Sequence, residues 1–305
     1  MIYTLTLNPA VDLEFQVKSF DLNSVTRAMS SRMDAGGKGF NVSRMLAHLN
    51  VVSTAVGFIG GHSGARLESE LKRQKIETNF CQIANETRTN ISLVRSGSSD
   101  HYKVNETGPT ISAFELASLY EKVSRLAFPG DWWVLAGSVP PGVPSTVYAE
   151  LIRLLKGKGA HVFLDGSGEA FELGCKAQPT LIKPNLEEAL ELLNLPEDHG
   201  LSLKEICAKL IQLGPKKVVI SLGKDGACSF DGSALTTIKS PEIVEKNPIG
   251  AGDSLVAGMI WGLFNGDILS TALKKGIACG AATASEPGTG LGSLAQVKEL
   301  LERIG

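Results

Sequence analysis

The sequence predicts an α/β protein built on a mostly parallel β-sheet with helices on both faces. Three observations lead there. Short apolar runs ending in Gly, Pro or a polar turn alternate with helical patterns along most of the chain. Within each run, successive residues are apolar, as in strands covered on both sides. The chain has 305 residues, 43% of them hydrophobic and 20% charged, enough for one large domain with a small addition.

The expected strands are IYTLTL at 2–7, STAVGFIG at 53–60, DWWVLAG at 131–137, HVFLD at 161–165, TLIKP at 180–184 and KVVISLG at 217–223. Between them lie helical patterns at 41–50, 64–74, 112–126, 144–159, 186–194 and 202–214. Residues 13–33 and 87–106 break the rhythm, because polar and apolar residues alternate there without a helix between. SGSSD at 96–100 reads as a hairpin turn. Two strand pairs inserted at separate places can form one small sheet, read as a discontinuous lid on a single domain spanning 1–305. After Asp253 the chain is helical again, in three segments expected to cover one end of the sheet.

Composition narrows the function classes. A net charge of −2 gives no strongly basic face, which argues against a nucleic-acid partner. The five cysteines form no CxxC pair and the five histidines are scattered, so neither a zinc site nor a disulfide framework is expected. The N-terminus has no basic segment followed by a long apolar one, and no run of about 20 apolar residues occurs. A cytoplasmic protein with no membrane partner is the expectation. His62 and His101 are read as surface residues, and Trp132 and Trp133 as packing residues.

Four stretches carry candidate chemistry, each just after an expected strand or at a helix start. In NPIGAGDSLVAG at 247–258, Gly250, Ala251 and Gly252 let backbone N–H groups converge at a helix start, which suits an anion. Asp253 stands beside them as a base; the alternative is an ordinary first-turn acid. In DAGGKGFNVSRML at 34–46, Gly36 and Gly37 permit close approach of a ligand, Lys38 supplies charge and Asn41 can bind hydroxyls; the alternative is a flexible turn. In TLIKPNLEEAL at 180–190, Asn185 and Glu188 form either a capping box or oxygen donors for Mg²⁺ through water. In VVISLGKDGA at 218–227, Ser221, Gly223 and Gly226 either cradle a nucleotide or make a hairpin turn. The dinucleotide motif GxGxxG fails at Leu255, and Gly37-Lys38-Gly39 is not a Walker A loop.

Together these stretches resemble the ribokinase-like sugar kinases, the phosphofructokinase B family, over essentially the whole chain. AGGKGFNVSRML and NPIGAGDSLVAG are similar to its two signatures, and TLTLNPAVD, AGSVPPG, IKPN and SLGKDGA follow in the family's order. TLTLNPAVD with GGKG and TRTN is most similar to the 1-phosphofructokinase and tagatose-6-phosphate kinase branch. The resemblance implies a Rossmann-like α/β domain with a β lid, ATP as donor, Mg²⁺, and a monovalent cation as a further candidate. It implies Asp253 as catalytic base and Gly250, Ala251 and Gly252 as anion hole. Sugar contacts fall to Asp12, Gly37 and Asn41, with Ser138 near the sugar phosphate. Lys183, Ser221, Gly223 and Gly226 would face ATP, and Asn185 and Glu188 would organise Mg²⁺. Arg27, Lys38, Arg88 and Lys103 are cations for a phosphorylated acceptor, and Asn90 tilts the choice toward fructose 1-phosphate over tagatose 6-phosphate. Exposed lid edges could pair two subunits into a homodimer.

Overall fold

The computed structural model describes residues 1–19, 23, 25–97, 101–196, 198 and 200–304. The main sheet contains β1 (Ile2–Thr6), β4 (Thr54–Ile59), β5 (Glu77–Gln82), β8 (Trp132–Ala136), β9 (His161–Asp165), β10 (Leu181–Ile182), β11 (Val218–Ser221), β12 (Ala227–Phe230) and β13 (Leu235–Ile238). Their order is β13-β12-β11-β10-β9-β8-β1-β4-β5. All pairings from β5 across to β11 are parallel, and β12 and β13 add an antiparallel edge.

Successive strand residues point to opposite faces, so each strand feeds two cores. Tyr3, Leu5, Trp133, Leu135, Val162 and Leu164 pack on one face. There they meet α3 (Ala113–Leu126), α4 (Val147–Gly157), α5 (Gly168–Lys176), α6 (Leu186–Leu192) and α7 (Leu203–Gln212). Ile2, Trp132, Val134, Phe163 and Val219 pack on the other face. Their partners are α1 (Lys38–His48), α8 (Ala251–Phe264), α9 (Leu269–Ala284) and α10 (Leu294–Ile304). The three C-terminal helices therefore cover a face of the sheet rather than its end, and α8 is buried nearly all round because it lies between the sheet and α9. Both tryptophans pack, and they also stack: Trp133 on Tyr3 at 4.3 Å and Trp132 on His161 at 4.8 Å between ring centroids. All five cysteines are buried and free.

A second sheet of four strands has the order β3 (Ala28–Gly36), β2 (Ala10–Val17), β6 (Arg88–Arg95), β7 (His101–Asn105). Residues 20–22 and 24 of its first connection and 98–100 of the SGSSD turn lie outside the described residues. β2 continues almost directly from β1, so this sheet rises from the end of the main one. Helix α2 (Gly61–Arg73) packs beneath it, with Leu67 and Leu71 against Val11, Ala35 and Phe40. Among the described residues no helix is long and apolar enough to cross a membrane.

Candidate active site

From β1 the chain runs to β4 and β5 on one side, then crosses back to β8 on the other. That reversal opens a crevice beyond the carboxyl ends of the strands, where open α/β sheets bind ligands. Along this edge lie Asn8 after β1, Ser138 after β8, Asp165 at the end of β9, Lys183 after β10 and Ser221 at the end of β11.

Helix α8 starts at this edge. Gly250, its N-cap, holds φ 81°, a left-handed conformation that costs residues with a Cβ about 1–2 kcal/mol. Gly250 has no side chain to cap the helix; the Ala251 N–H, expected in the anion hole, is taken by the Pro248 carbonyl at 3.1 Å, which leaves the N–H groups of Gly252 and Asp253 available to an anion. Asp253 follows in that first turn, only 7% exposed. Its Oδ2 accepts a hydrogen bond of 2.8 Å from the Asn41 amide. Burial, with the nearby Asp165 carboxylate adding to it, pushes the Asp253 carboxyl up to about 6, while Asn41, Lys38 and Lys183 pull the other way. A carboxyl in that range is ionised at neutral pH and still basic enough to accept a proton.

Asp165 was not among the residues expected from the sequence. It is buried, and Oδ1 lies 3.3 Å from Lys183 Nζ and 3.6 Å from Lys38 Nζ. Asp165 first, then Asp253 and Glu188, hold Lys38 above its ordinary range. A Cβ added to Gly252 would lie 3.7 Å from Lys183 Nζ, so this lysine sits against the first turn of α8. Two lysines and a helix N-terminus thus surround a base, an arrangement suited to charge developing on a transferred anionic group.

The second sheet supplies the other wall. Asp12 stands opposite Asp34 on β3 and Asn90 on β6, and Asn90 donates to Asp12 Oδ1 at 2.8 Å. Burial raises the Asp12 carboxyl above its ordinary value. Gly36 makes room for Asp12, since a Cβ there would fall 2.1 Å from Asp12 Oδ2. Ser138 accepts a 3.4 Å hydrogen bond from Asn8. Thr6 Oγ1, Asn8 Oδ1, Asn90 Oδ1 and Arg88 Nε are buried without a hydrogen-bond partner.

Two cations stand differently from expectation. Arg88 donates one Nη to the Glu106 carbonyl and the other to the Asn8 carbonyl, so its two-pronged face is turned to backbone and only Nε is left over. Arg27 is exposed and precedes β3, whose nine residues separate it from Gly36 by about 30 Å. Within one chain it does not join Asp12 or Asp253. Lys103 on β7 lies close enough to Asp12 to pull its carboxyl down. Asn41 likewise has both amide atoms engaged, with Asp253 on one side and Arg44 on the other.

On the far side of α8 a cleft of ≈ 720 Å³ is lined by Asn185, Ser221, Gly223, Gly226, Ala251 and Gly252. Its apolar walls include Ile243, Leu255, Ile277 and Ala281. The SLGKDGA turn joins β11 to antiparallel β12, so it is a hairpin turn and also a cleft wall. Gly226 is required by packing, because a Cβ there would lie 2.1 Å from the Ile238 carbonyl. Lys183 is not part of this cleft and sits deeper, between it and Asp253.

Asn185 and Glu188 do form a capping box: Asn185 Oδ1 accepts from the Glu188 N–H at 2.7 Å and Glu188 Oε2 from the Asn185 N–H at 2.8 Å. That pair leaves Glu188 Oε1 over, and Asp165, ion-paired to Lys183 and Lys38 through Oδ1, keeps Oδ2 without a partner. Among the described residues no three His, Cys, Asp or Glu side chains cluster as a metal cage. The donors therefore fit Mg²⁺ held largely by water and phosphate oxygens, in the manner usual for that ion.

The model of the pfkB family carbohydrate kinases matches residues 5–296. A 1-phosphofructokinase of Bacillus subtilis (strain 168) is 36% identical over 305 residues, covering 100% of this chain and 98% of that protein. A tagatose-6-phosphate kinase of Staphylococcus epidermidis is 34% identical over 307 residues, with 100% and 98% covered. Phosphofructokinase-2 from Escherichia coli, solved in complex with potassium, superposes with a TM-score of 0.95 at 28% identity, over 99% of this chain and 98% of that one. Ribokinase from Thermotoga maritima shares the fold, with a TM-score of 0.81 at 17% identity over 99% of each chain.

Proposed function

Since the chain belongs to the pfkB family of carbohydrate kinases, we propose that it transfers the γ-phosphoryl of ATP to a hydroxyl of a ketohexose phosphate, with fructose 1-phosphate as acceptor and fructose 1,6-bisphosphate as product. The observation that carries the reading is Asp253, a buried base in the first turn of α8, set between a polar pocket and a nucleotide-sized cleft. The full-length likeness to a 1-phosphofructokinase supports the acceptor.

Asp253 Oδ2 is taken by Asn41, so Oδ1 faces the incoming hydroxyl. The sugar oxygen attacks the γ-phosphorus, its proton passes to Oδ1, and the bond to the ADP oxygen breaks. The Gly252 N–H, with Lys38 and Lys183, holds charge on the phosphoryl oxygens. Mg²⁺, when bound with ATP, would neutralise phosphate charge; Glu188 and Asp165 would hold it through water, and Asn185 would keep Glu188 in place. Asp12 and Asn90 orient sugar hydroxyls, while Lys103, Ser138 and the Nε of Arg88 face the acceptor's own phosphate. The second sheet acts as a lid that keeps water from competing as acceptor.

The test is ADP release with Mg-ATP and four acceptors: fructose 1-phosphate, fructose 6-phosphate, tagatose 6-phosphate and fructose. Fructose 1-phosphate is expected to give a kcat/KM at least about tenfold above the others, a difference of about 1.4 kcal/mol. The same margin for tagatose 6-phosphate would replace the acceptor, a reading that the staphylococcal relative supports. Absence of turnover with all four would remove the ketohexose-phosphate acceptor and point to another ligand for the polar pocket.

The same sheet suggests the assembly. Its polar face carries Asp12 and Asn90; the opposite face carries Leu13, Phe15, Ile91, Leu93, Tyr102 and Val104 by register. Tyr102 is 59% and Val104 51% exposed. We propose that a second copy covers this face, giving a homodimer. Sedimentation velocity should show a dimer that Leu93→Asp converts to monomer; a wild-type monomer at micromolar concentration would rule the dimer out.

A further inference from the structure

Arg44 lies on α1 one turn after Asn41 and is only 7% exposed. A buried guanidinium persists only if its N–H groups find partners, and here each arm ends on a different element. Nη1 donates to Asn41 Oδ1 at 3.2 Å, on its own helix. Nη2 lies 3.5 Å from Asp34 Oδ1 on β3 of the second sheet. Nε donates to Gln74 Oε1 at 3.2 Å, at the end of α2. Asp34 is fixed in turn from outside: its Oδ2 accepts from Thr289 Oγ1 at 2.6 Å and lies 2.9 Å from Arg32 Nε.

The chemistry of the amide gives this chain a direction. A carboxamide has an accepting end and a donating end, and a donor on one end decides where the other points. Arg44 can only donate, so it must meet Asn41 Oδ1. The Asn41 N–H is then left for Asp253 Oδ2, 2.8 Å away. Turned over, the amide would set its oxygen against the carboxylate and repel it. We infer that Arg44 is a positioning residue for phosphoryl transfer: anchored by Asp34 of the second sheet, it orients Asn41, which in turn fixes the rotamer of Asp253. The inference rests on Asp253 being the base. It also makes closure of the second sheet and alignment of the base one event, since Asp34 belongs to that sheet.

A double-mutant cycle tests it, with Arg44→Met, Asn41→Ala and the pair, read as kcat, KM for ATP and thermal unfolding. Arg44→Met is expected to lower kcat about tenfold or more with KM for ATP within about twofold, the signature of a misaligned catalytic group. The pair is expected to be no slower than Asn41→Ala alone, because Arg44 would act only through that amide. Losses that multiply, or a fall in melting temperature with kcat unchanged, would overturn the inference. Should Arg44→Met not fold, Asp34→Asn, at the accessible end of the chain of contacts, enters the same cycle. It is expected to lower kcat about threefold to tenfold in the wild-type background and not at all beside Asn41→Ala; equal losses in both backgrounds would overturn the inference. Asp253→Asn, run in parallel, separates the two failures. Wild-type turnover in that variant removes the base itself; an inactive Asp253→Asn beside a fully active Arg44→Met removes only the role of Arg44.

Discussion

Asp253→Asn is expected to lower kcat by about 10²–10⁴-fold, the scale for loss of an acid–base group, while KM for ATP changes little. Asparagine keeps the shape and can still accept from the Asn41 amide, so the change isolates the proton-accepting oxygen. In the wild type, kcat/KM should fall as pH drops through about 6, because protonation removes the base. Stability should move in the opposite sense. A carboxyl raised from 3.8 to about 6 on folding binds its proton more tightly in the folded state, so its ionisation weakens the fold as pH rises between those values. By pH 7 the cost is at most about 3 kcal/mol. The Asp253→Asn variant should therefore melt a few degrees higher than wild type at pH 7 and show no such gain at pH 4. A variant that turned over normally would show that another group takes the proton.

Gly36→Ala should act on the other substrate. Gly36 has no left-handed φ, so alanine is compatible with the backbone. Its methyl would nevertheless fall 2.1 Å from Asp12 Oδ2, and Asp12 must swing away from Asn90. Misplacing a positioning group by an ångström costs on the order of 100-fold. The expectation is a kcat/KM for the sugar phosphate lower by about that factor, most of it in KM. KM for ATP and the melting temperature should stay near wild type, since neither the cleft nor the main cores are touched. An unchanged KM for the acceptor would exclude Asp12 from the sugar pocket.

What was legible in the sequence, and what was not, follows from how far apart the interacting residues lie. The apolar strands of the sheet centre could be read because burial on both faces leaves an uninterrupted apolar run, as in WWVLA of β8. ETNFCQ of β5 escaped notice because it is an edge strand with polar residues on its outer side. GEAFELGCK of α5 is short and carries two glycines, too weak a periodic pattern to stand out. β12 was hidden by the turn before it, since ACSF alone is four residues. The SLGKDGA turn and the α8 start announced themselves through clustered glycines. Asp165 did not, because one acid after a strand is what any turn offers, and its lysines lie 127 and 18 positions away. Arg44 drew no attention for a different reason: its partners Asp34 and Asn41 are near in sequence, but a single arginine in an amphipathic helix reads as a solvated charge until its burial is seen.

The two walls of the crevice come from separate parts of the chain. Asp12, Arg88, Asn90, Lys103 and Ser138 all precede residue 140, whereas Asn185, Ser221, Gly223 and the start of α8 all follow residue 180. Outside the Asp34–Arg44–Asn41–Asp253 contacts, mutation can thus retune one wall while selection holds the other fixed. On the proposed reading, a lineage could change which sugar it consumes through drift in a few strands of the small sheet, without ever passing through an ancestor unable to use ATP. Fuel and diet would then be encoded in different halves of the gene.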